Sequence, residues 1–301
     1  MLNKNESTAQ ESDVKVTEHF SSSIEKKDHL SNDSCLYLEI APVACVRRKL
    51  LVLDVNGLLA DIVMPAPKDC IADAHIWGRA VFKRPSCDEF LKFCFEKFDV
   101  GISSSRSRKI IENFVNYLLA DLQHKLLFCW DMSHSTHTGY KTLENVQKPL
   151  VMKQLKKIWE KDDPNLPREK GYYNESNTLL LDDSPYKALL NPFIPWKITC
   201  IIHSFITGPG GDLRVYLEDM LMCDDVRKYV EQHPFGQSVI DETNVFWRFY
   251  SRVLHSPHLD KDDSSIQNDT EGQHYFNKLL LMILGITKPN SSNNGPSEDA
   301  A

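Results

Sequence analysis

Runs of apolar residues alternate along this chain with segments in which apolar positions recur every three or four residues. The apolar runs predict buried strands, and these lie at 49–54, 98–103, 126–130, 177–181 and 196–202. The helical spacing predicts one helix that begins at Pro85 and two more over 110–118 and 150–159. Further helices are predicted near 212–222, 224–232 and 241–254. Because strands and helices alternate, we expect an α/β fold with a doubly wound, Rossmann-like and mainly parallel sheet flanked by helices.

The pattern is absent at both ends of the chain. Residues 1–34 are rich in Ser, Glu, Lys and Asn, and they predict a disordered tail, as do residues 287–301. Between the tails we expect an α/β domain over 45–205. A helical extension over 206–286 is expected to pack on that domain and to end in an amphipathic helix over 275–284.

Composition and charge limit the possible partners and compartments. The 301 residues carry a formal net charge of −7, which argues against a nucleic-acid partner, since phosphate backbones require a basic face. We expect no membrane association, because the apolar run at 279–286 is too short to span a bilayer and the first residues resemble no targeting sequence. The eight cysteines include no CxxC pair and favour a reducing compartment, cytoplasm or nucleus. The oligomeric state is left open.

Polar residues follow several of the predicted strands. Asp54, Ser104 and the pair Asp182 and Asp183 come at strand ends that converge on one edge of a parallel sheet, and Lys153 is available from a predicted helix. A carboxylate nucleophile, a hydroxyl, an ammonium group and a second carboxylate site are what phosphoryl transfer through an aspartyl-phosphate requires. Carboxylates repel an incoming phosphate unless a hard cation lies between them, so the sequence predicts Mg²⁺ as cofactor.

Five segments in this order resemble the motifs of the haloacid dehalogenase (HAD) superfamily, and within it the branch of small phosphatases that act on the polymerase C-terminal domain. The resemblance covers about 49–202 and implies the HAD-like fold. The segments are LDVNGLLADIV at 53–63, KRPSCDEFL at 83–91, FDVGISSSR at 98–106, VMKQL at 151–155 and LLLDDSP at 179–185.

The resemblance also assigns roles to individual residues. It implies that Asp54 is both the nucleophile and a metal ligand, and that Ser104 and Lys153 bind the phosphate. It further implies that Asp183 holds Mg²⁺, with Asp182 beside it. A phosphorylated protein is the partner that this branch implies.

Position 56 departs from the family pattern. The backbone carbonyl of Asn56 still suits a metal ligand, but its side chain cannot act as the general acid and base that the family has there. Leu58 also replaces the family's threonine, which removes a hydroxyl that should brace the loop. Both changes predict weakened turnover or none.

Three functions are compatible with these residues, and the sequence leaves open whether the chain is an active enzyme. The first is a Mg²⁺-dependent phosphatase acting on phosphoserine or phosphothreonine in proteins, impaired at position 56. The second is a pseudophosphatase that binds phosphorylated segments without turnover. The third is a role like that of the receptor subunit of the mitochondrial inner-membrane import translocase, which the acidic first residues disfavour.

Two weaker candidates lie outside these motifs. Cys129, His134 and His137 are close in sequence, but a fourth residue at structural-zinc spacing is missing, which favours a loop with incidental histidines. Arg106 and Arg108 suit a phosphoprotein and suit an ordinary helix start equally well.

Overall fold

The computed structural model describes residues 47–191, 208–237, 240–257 and 259. The predicted tails, the predicted strand at 196–202 and the predicted helix at 275–284 lie outside the described residues. Among the described helices, none is long and apolar enough to cross a membrane.

The described residues form nine strands and six α-helices. The strands are β1 (Leu50–Leu53), β2 (Ala60–Val63), β3 (Ala74–Ile76), β4 (Arg79–Lys83), β5 (Asp99–Ser103), β6 (Phe128–Trp130), β7 (Thr136–Lys141), β8 (Pro149–Met152) and β9 (Thr178–Leu181). The helices are α1 (Cys87–Lys97), α2 (Arg108–Leu119), α3 (Lys156–Trp159), α4 (Asp212–Leu221), α5 (Val226–Gln232) and α6 (Trp247–Leu254).

The central sheet has the strand order β6-β5-β1-β9, and all three pairings are parallel, which confirms the predicted fold class. The chain proceeds from β1 to β5 and β6 on one side and then returns to β9 on the other side of β1. The strand order therefore reverses between β1 and β9, and ligands of open α/β sheets bind outside the carboxyl ends of the strands at such a point.

Both faces of this sheet are covered, which explains the continuous apolar strands. Along β1, Leu51 and Leu53 pack in one buried cluster with residues of α1 and α2. Leu50 and Val52 point to the opposite face and pack in a second cluster with Ile158 of α3. This alternation follows from the period of two along a strand. With both faces buried, the strand reads as an unbroken apolar run.

The predicted helix over 150–159 is wrong. Pro149–Met152 is strand β8, which pairs antiparallel with β7, and only Lys156–Trp159 is helical. Leu150 and Met152 are two residues apart and pack in the same cluster. The helix prediction failed because Leu155, just before α3, and Ile158 within it continue the apolar spacing of the strand residues. Strand and helix together therefore have the sequence pattern of one longer helix. The antiparallel sheet β2-β4-β3 was not predicted either, because its strands are short.

The helices after residue 208 pack against described parts of the sheet domain. Leu213 and Leu217 of α4 belong to the cluster that contains residues of α1 and α2. Phe249 and Val253 of α6 pack with Met152 in a third cluster. Helix α6 begins at Trp247, later than predicted. The residues before it form turns in which the side chains of Asp241 and Asn244 accept backbone N–H groups two residues further on.

Candidate active site

Asp54 lies at the carboxyl end of β1, beside the reversal point of the sheet. Its backbone N–H donates to the Leu181 carbonyl of β9 at 2.9 Å, which ties the two strand ends together. Its side chain is buried. The carboxylate is therefore held at the floor of the crevice where an open α/β sheet binds its ligands.

Asp182 and Asp183 follow β9 and lie next to Asp54. Asp182 is buried, and its Oδ1 accepts the N–H of Ser184 at 2.9 Å. Asp183 is more exposed, and its Oδ1 accepts the hydroxyl of Ser184 at 2.8 Å. Carboxylate oxygens of the three aspartates lie within 4.8 Å of one another. The structure thus brings together the carboxylates that the sequence placed at two strand ends.

Lys153 was predicted to lie on a helix, but it lies in the loop after β8. Its Nζ lies 3.2 Å from Asp54 Oδ1, and it donates to Asp182 Oδ2 and to the Ser103 carbonyl, both at 2.5 Å. The ammonium group is buried. Its contacts bridge the ends of β1, β5 and β9, so Lys153 is part of the site although its element was misassigned.

Lys187 is a second buried lysine at this site, and sequence reasoning missed it. Its Nζ lies 2.7 Å from Asp54 Oδ2, 2.8 Å from Asp182 Oδ1 and 3.3 Å from Asp183 Oδ1. Burial lowers the pKa of Lys187, but the opposing attraction of Asp182, Asp54 and Asp183 is larger. The pKa is therefore raised well above its ordinary value, and the group is charged.

The sequence did contain a signal for Lys187. It stands in the short turn Pro185–Ala188, five residues after Asp182, and apolar residues follow it directly. A lysine is almost never fully buried unless it is paired. A lysine inside an apolar segment that follows two aspartates therefore indicates a buried ion pair.

Ser104 lies just after β5 and forms one wall of the crevice. Its backbone N–H donates to the Trp130 carbonyl at 2.9 Å, and its hydroxyl oxygen accepts the N–H of Arg106 at 3.3 Å. Ser103 instead uses its carbonyl oxygen to accept from Lys153. Of the two serines, Ser104 is the one that lines the cavity. Its predicted role as a phosphate ligand stays a prediction.

Asn56 lines the same crevice, and its side chain is engaged in the loop between β1 and β2. Asn56 Oδ1 accepts the N–H of Ile62 at 3.0 Å and an N–H of the Arg106 guanidinium at 3.4 Å. The amide oxygen thus braces the loop and contacts a cation of the site. It has no carboxyl proton to donate.

Gly57 allows this loop to approach the second carboxylate site. Its φ is +82°, and a Cβ at this position would lie 2.3 Å from Asp183 Oδ2. Its N–H donates to the Ala60 carbonyl at 2.9 Å, which closes the turn. Only glycine combines this backbone conformation with so close an approach.

The crevice above Asp54 is a cavity of about 440 Å³, and its rim carries four cationic side chains beside the carboxylates of Asp54 and Asp183. Burial lowers the pKa of Arg106, as does nearby Arg79, while Asp54 and Asp183 oppose the shift. The guanidinium still remains charged at neutral pH. The lining residues are Asp54, Asn56, Arg79, Ser104, Ser105, Arg106, Asn145, Gln147, Lys148, Asp183 and Lys187. Such a cavity suits an anion that presents several oxygen atoms.

The three aspartates meet the requirements of a hard divalent cation in ligand type and spacing. Asp54, Asp182 and Asp183 are among the residues predicted at the Mg²⁺ site, together with the backbone carbonyl of Asn56. The Nζ of Lys187 lies among them. A divalent cation held by all three carboxylates would therefore meet this ammonium group.

Cys129, His134 and His137 do not form a metal site. Among the described residues, the three aspartates are the group of ligating side chains close enough to hold an ion. The His134 ring instead stacks on Trp130, with centroids 5.1 Å apart, and its Nδ1 contacts Asp131. Arg108 pairs with Glu112 at 2.6 Å on the surface of α2, as an ordinary helix-start residue does, whereas Arg106 belongs to the crevice.

The chain is similar in sequence to several known proteins. An uncharacterized FCP1 homology domain-containing protein of Schizosaccharomyces pombe is 25% identical over 195 residues, covering 62% of this chain and 78% of the relative. The ubiquitin-like domain-containing CTD phosphatase 1 of Xenopus tropicalis is 28% identical over 194 residues, covering 62% of this chain and 54% of the relative. The chain thus spans about half the length of that phosphatase.

A solved structure of the fission yeast RNA polymerase II CTD phosphatase Fcp1, bound to beryllium fluoride, aligns with 82% of this chain and 59% of its own. The sequence identity is 11% and the TM-score is 0.33. The sequence profile of the NLI interacting factor-like phosphatases matches residues 49–227, which is more than half of the chain. The chain therefore belongs to the NLI interacting factor-like phosphatase family.

Proposed function

We propose that this chain is a Mg²⁺-dependent protein phosphatase domain that works through an aspartyl-phosphate on phosphoserine or phosphothreonine, with turnover weakened at Asn56. The observation that carries the proposal is the position of Asp54. Its carboxylate lies at the floor of a cavity with a cationic rim, among Lys153, Asp182 and Asp183. These are the groups that a carboxylate nucleophile requires for phosphoryl transfer.

In the first step, Arg106 and the Ser104 hydroxyl orient the phosphoryl group above Asp54. An Asp54 oxygen attacks phosphorus, the bond from phosphorus to the substrate oxygen breaks, and that oxygen must gain a proton. The Asn56 amide supplies none, so the proton comes from water. In the second step, water attacks the phosphorus of the aspartyl-phosphate and the bond from phosphorus to the Asp54 oxygen breaks, which releases inorganic phosphate and the Asp54 carboxylate. Asn56 cannot take the proton of that water either, so the proton stays on the released phosphate or passes to solvent.

Phosphatases of this family are generally metal-dependent. In this chain Asp54 and Asp183 would hold Mg²⁺, with Asp182 beside them. When bound, the ion supplies positive charge that offsets the repulsion between the carboxylates and the phosphate.

A protein substrate is supported by the extension of the crevice. A neighbouring cavity of about 680 Å³ shares Asn145, Lys148 and Asp183 with it. The lining of this second cavity includes the apolar surfaces of Ile240 and Phe246. A cationic phosphate site that shares its wall with a cavity containing apolar side chains suits a phosphorylated side chain with an apolar neighbour in the same peptide better than a small polar phosphate. The names of the CTD phosphatase relatives point to the same substrate class.

A phosphoprotein-binding pseudophosphatase is the second candidate, and the contacts of Asn56 favour it. The amide oxygen is part of the hydrogen bonding of the loop through the N–H of Ile62. In this position the side chain serves structure, while the cationic rim that binds phosphate is retained.

The test is the hydrolysis of an aryl phosphate and of a phosphoserine peptide by wild type and three variants. We expect slow wild-type turnover and an increase of about 10²-fold in Asn56→Asp, because a general acid and base is restored where an acceptor oxygen already fits. Asp54→Asn should abolish all turnover. Asn145→Asp is the matched control, since it adds the same charge to the same cavity and should not increase the rate.

Two outcomes would decide against parts of the proposal. Ordinary phosphatase rates in wild type would contradict the impaired enzyme. Tight phosphopeptide binding without turnover in either wild type or Asn56→Asp would assign the chain to the pseudophosphatases.

A further inference from the structure

Lys187 contacts every carboxylate of the site and has no role in the chemistry that the family motifs imply. Its Nζ lies within 3.3 Å of Asp54, Asp182 and Asp183, and its side chain is 4% exposed. We propose that the Lys187 ammonium group is the resident cation of this site, lying between the three carboxylates where a divalent cation would bind, so that Mg²⁺ binds only in competition with it.

The two lysines divide the carboxylate oxygens between them. Lys153 contacts Oδ1 of Asp54 and Oδ2 of Asp182, whereas Lys187 contacts the other oxygen of each. Only Lys187 also reaches Asp183. Lys153 therefore flanks the carboxylate cluster, and Lys187 lies inside it.

The formal charges favour exclusion over coexistence. The three carboxylates and the two ammonium groups leave one net negative charge. A divalent ion added among them would lie against the Lys187 ammonium at close range in a buried site, where like charges repel strongly. Mg²⁺ can therefore take the three carboxylates only after Lys187 has moved away.

The family's metal dependence gives this competition a consequence for the proposed enzyme. With Lys187 in place, an ammonium group that lines the crevice faces an incoming phosphate without any added metal. Phosphate binding should then survive chelation, whereas Mg²⁺-dependent turnover should require high Mg²⁺. This consequence rests on the proposed function, but the competition itself concerns only the carboxylates and Lys187.

The test compares Lys187→Met with Lys153→Met by titration of each protein with Mg²⁺ in a calorimeter and with Mn²⁺ by electron paramagnetic resonance. Both variants lose one positive charge from the same cluster. We expect Lys187→Met to bind either ion at least about tenfold more tightly than wild type, because affinity is reduced by the fraction of time for which a site is open. The affinity of Lys153→Met for either ion should increase clearly less.

Equal increases in metal-ion affinity in the two variants would overturn the proposal, since the loss of one positive charge would then explain both. Wild type provides a measurement that does not depend on the variants folding. Its unfolding temperature should differ by no more than about 1 °C between a chelator and 10 mM Mg²⁺, because an ion that binds weakly stabilises little. A large rise would likewise overturn the proposal. Neither measurement uses a phosphate compound, so a failure of the proposed function would leave both results interpretable.

Discussion

At the scale of single residues, Gly57 shows how a missing side chain positions a carboxylate. The loop after Asp54 approaches Asp183 so closely that a Cβ on Gly57 would lie 2.3 Å from the Asp183 Oδ2. The same residue has a left-handed backbone at φ +82°. Two separate costs therefore apply to any other residue at this position, and a second glycine in the chain allows them to be separated.

We expect Gly57→Ala to lower the free energy of unfolding by about 1–3 kcal/mol and to weaken the binding of orthophosphate, because Asp183 must move. Gly78→Ala is the matched control, since Gly78 has φ +70° and open space where the Cβ would lie. Urea unfolding and phosphate titration of both variants are the measurements. Equal losses in both would show that backbone strain alone is responsible and that the contact with Asp183 is unimportant.

At the scale of elements, one buried asparagine connects the loop that contains Lys153 with the turn that contains Lys187. The backbone N–H of Lys153 donates to the Lys187 carbonyl at 2.6 Å, and Asn191 Nδ2 donates to the Lys153 carbonyl at 2.7 Å. Asn191 Oδ1 accepts the N–H of Leu155, also at 2.7 Å. The loop after β8 and the turn after β9 are therefore connected through the Asn191 side chain.

We expect Asn191→Ala to cost on the order of 3 kcal/mol of stability, because it leaves a buried donor and a buried acceptor without partners. It should also weaken phosphate binding, since the lysine loop is released. Asn177→Ala is the control: Asn177 is also buried and braces the backbone, but at the opposite end of β9. Asn177→Ala should lose stability and keep its phosphate affinity; a loss of affinity in both variants would refute the specific role of Asn191.

How far the sequence predicted the fold depended on the environment of each element. The strands β1, β5, β6 and β9 were predicted to within two residues, because strands buried on both faces read as unbroken apolar runs. β8 was mistaken for part of a helix, since its partner β7 has few apolar residues and the pairing brings together distant positions. Local periodicity contains no information about such a partner.

The site residues at the ends of buried strands were also predicted better than those in short turns. Asp54, Ser104, Asp182 and Asp183 could be placed together from sequence, because parallel strands end at one edge of the sheet. Lys187 was missed, since it reaches the carboxylates from a short turn that has no period of its own. Its neighbours in sequence indicate a buried ion pair but do not identify the carboxylates that it meets. Its position depends on the three-dimensional path of that turn.

At the scale of the whole molecule, the helix after residue 240 shares a core with the sheet domain. Phe249 is buried, its ring meets Tyr140 edge to face with centroids 6.1 Å apart, and Tyr250 stacks on Tyr186 at 6.2 Å. Tyr186 lies in the turn that also holds Lys187. The packing of α6 is thus connected with the carboxylate site through the Pro185–Ala188 turn.

We expect Phe249→Ala to lower the free energy of unfolding by about 3–5 kcal/mol, because it removes a buried aromatic ring from this core. Unfolding should remain one transition when tryptophan fluorescence and far-ultraviolet circular dichroism are compared. Met222→Ala removes an exposed apolar side chain and should change stability by less than about 0.5 kcal/mol. Two separate transitions in Phe249→Ala would show that α6 unfolds independently.

The hydrogen bonds of the Asn56 loop have a chemical consequence for any preparation of this protein. Asparagine before glycine deamidates readily, because the unhindered backbone nitrogen of the glycine attacks the side-chain amide carbon, ammonia leaves and a cyclic imide forms. In the folded loop the Gly57 N–H is bound to the Ala60 carbonyl and the Asn56 oxygen to the Ile62 N–H, which restrains both reactants. Unfolding removes that restraint, and hydrolysis of the imide yields aspartate or isoaspartate at position 56. Phosphatase activity that increases with storage or refolding would thus belong to a deamidated fraction with aspartate at position 56 and not to the protein that retains Asn56.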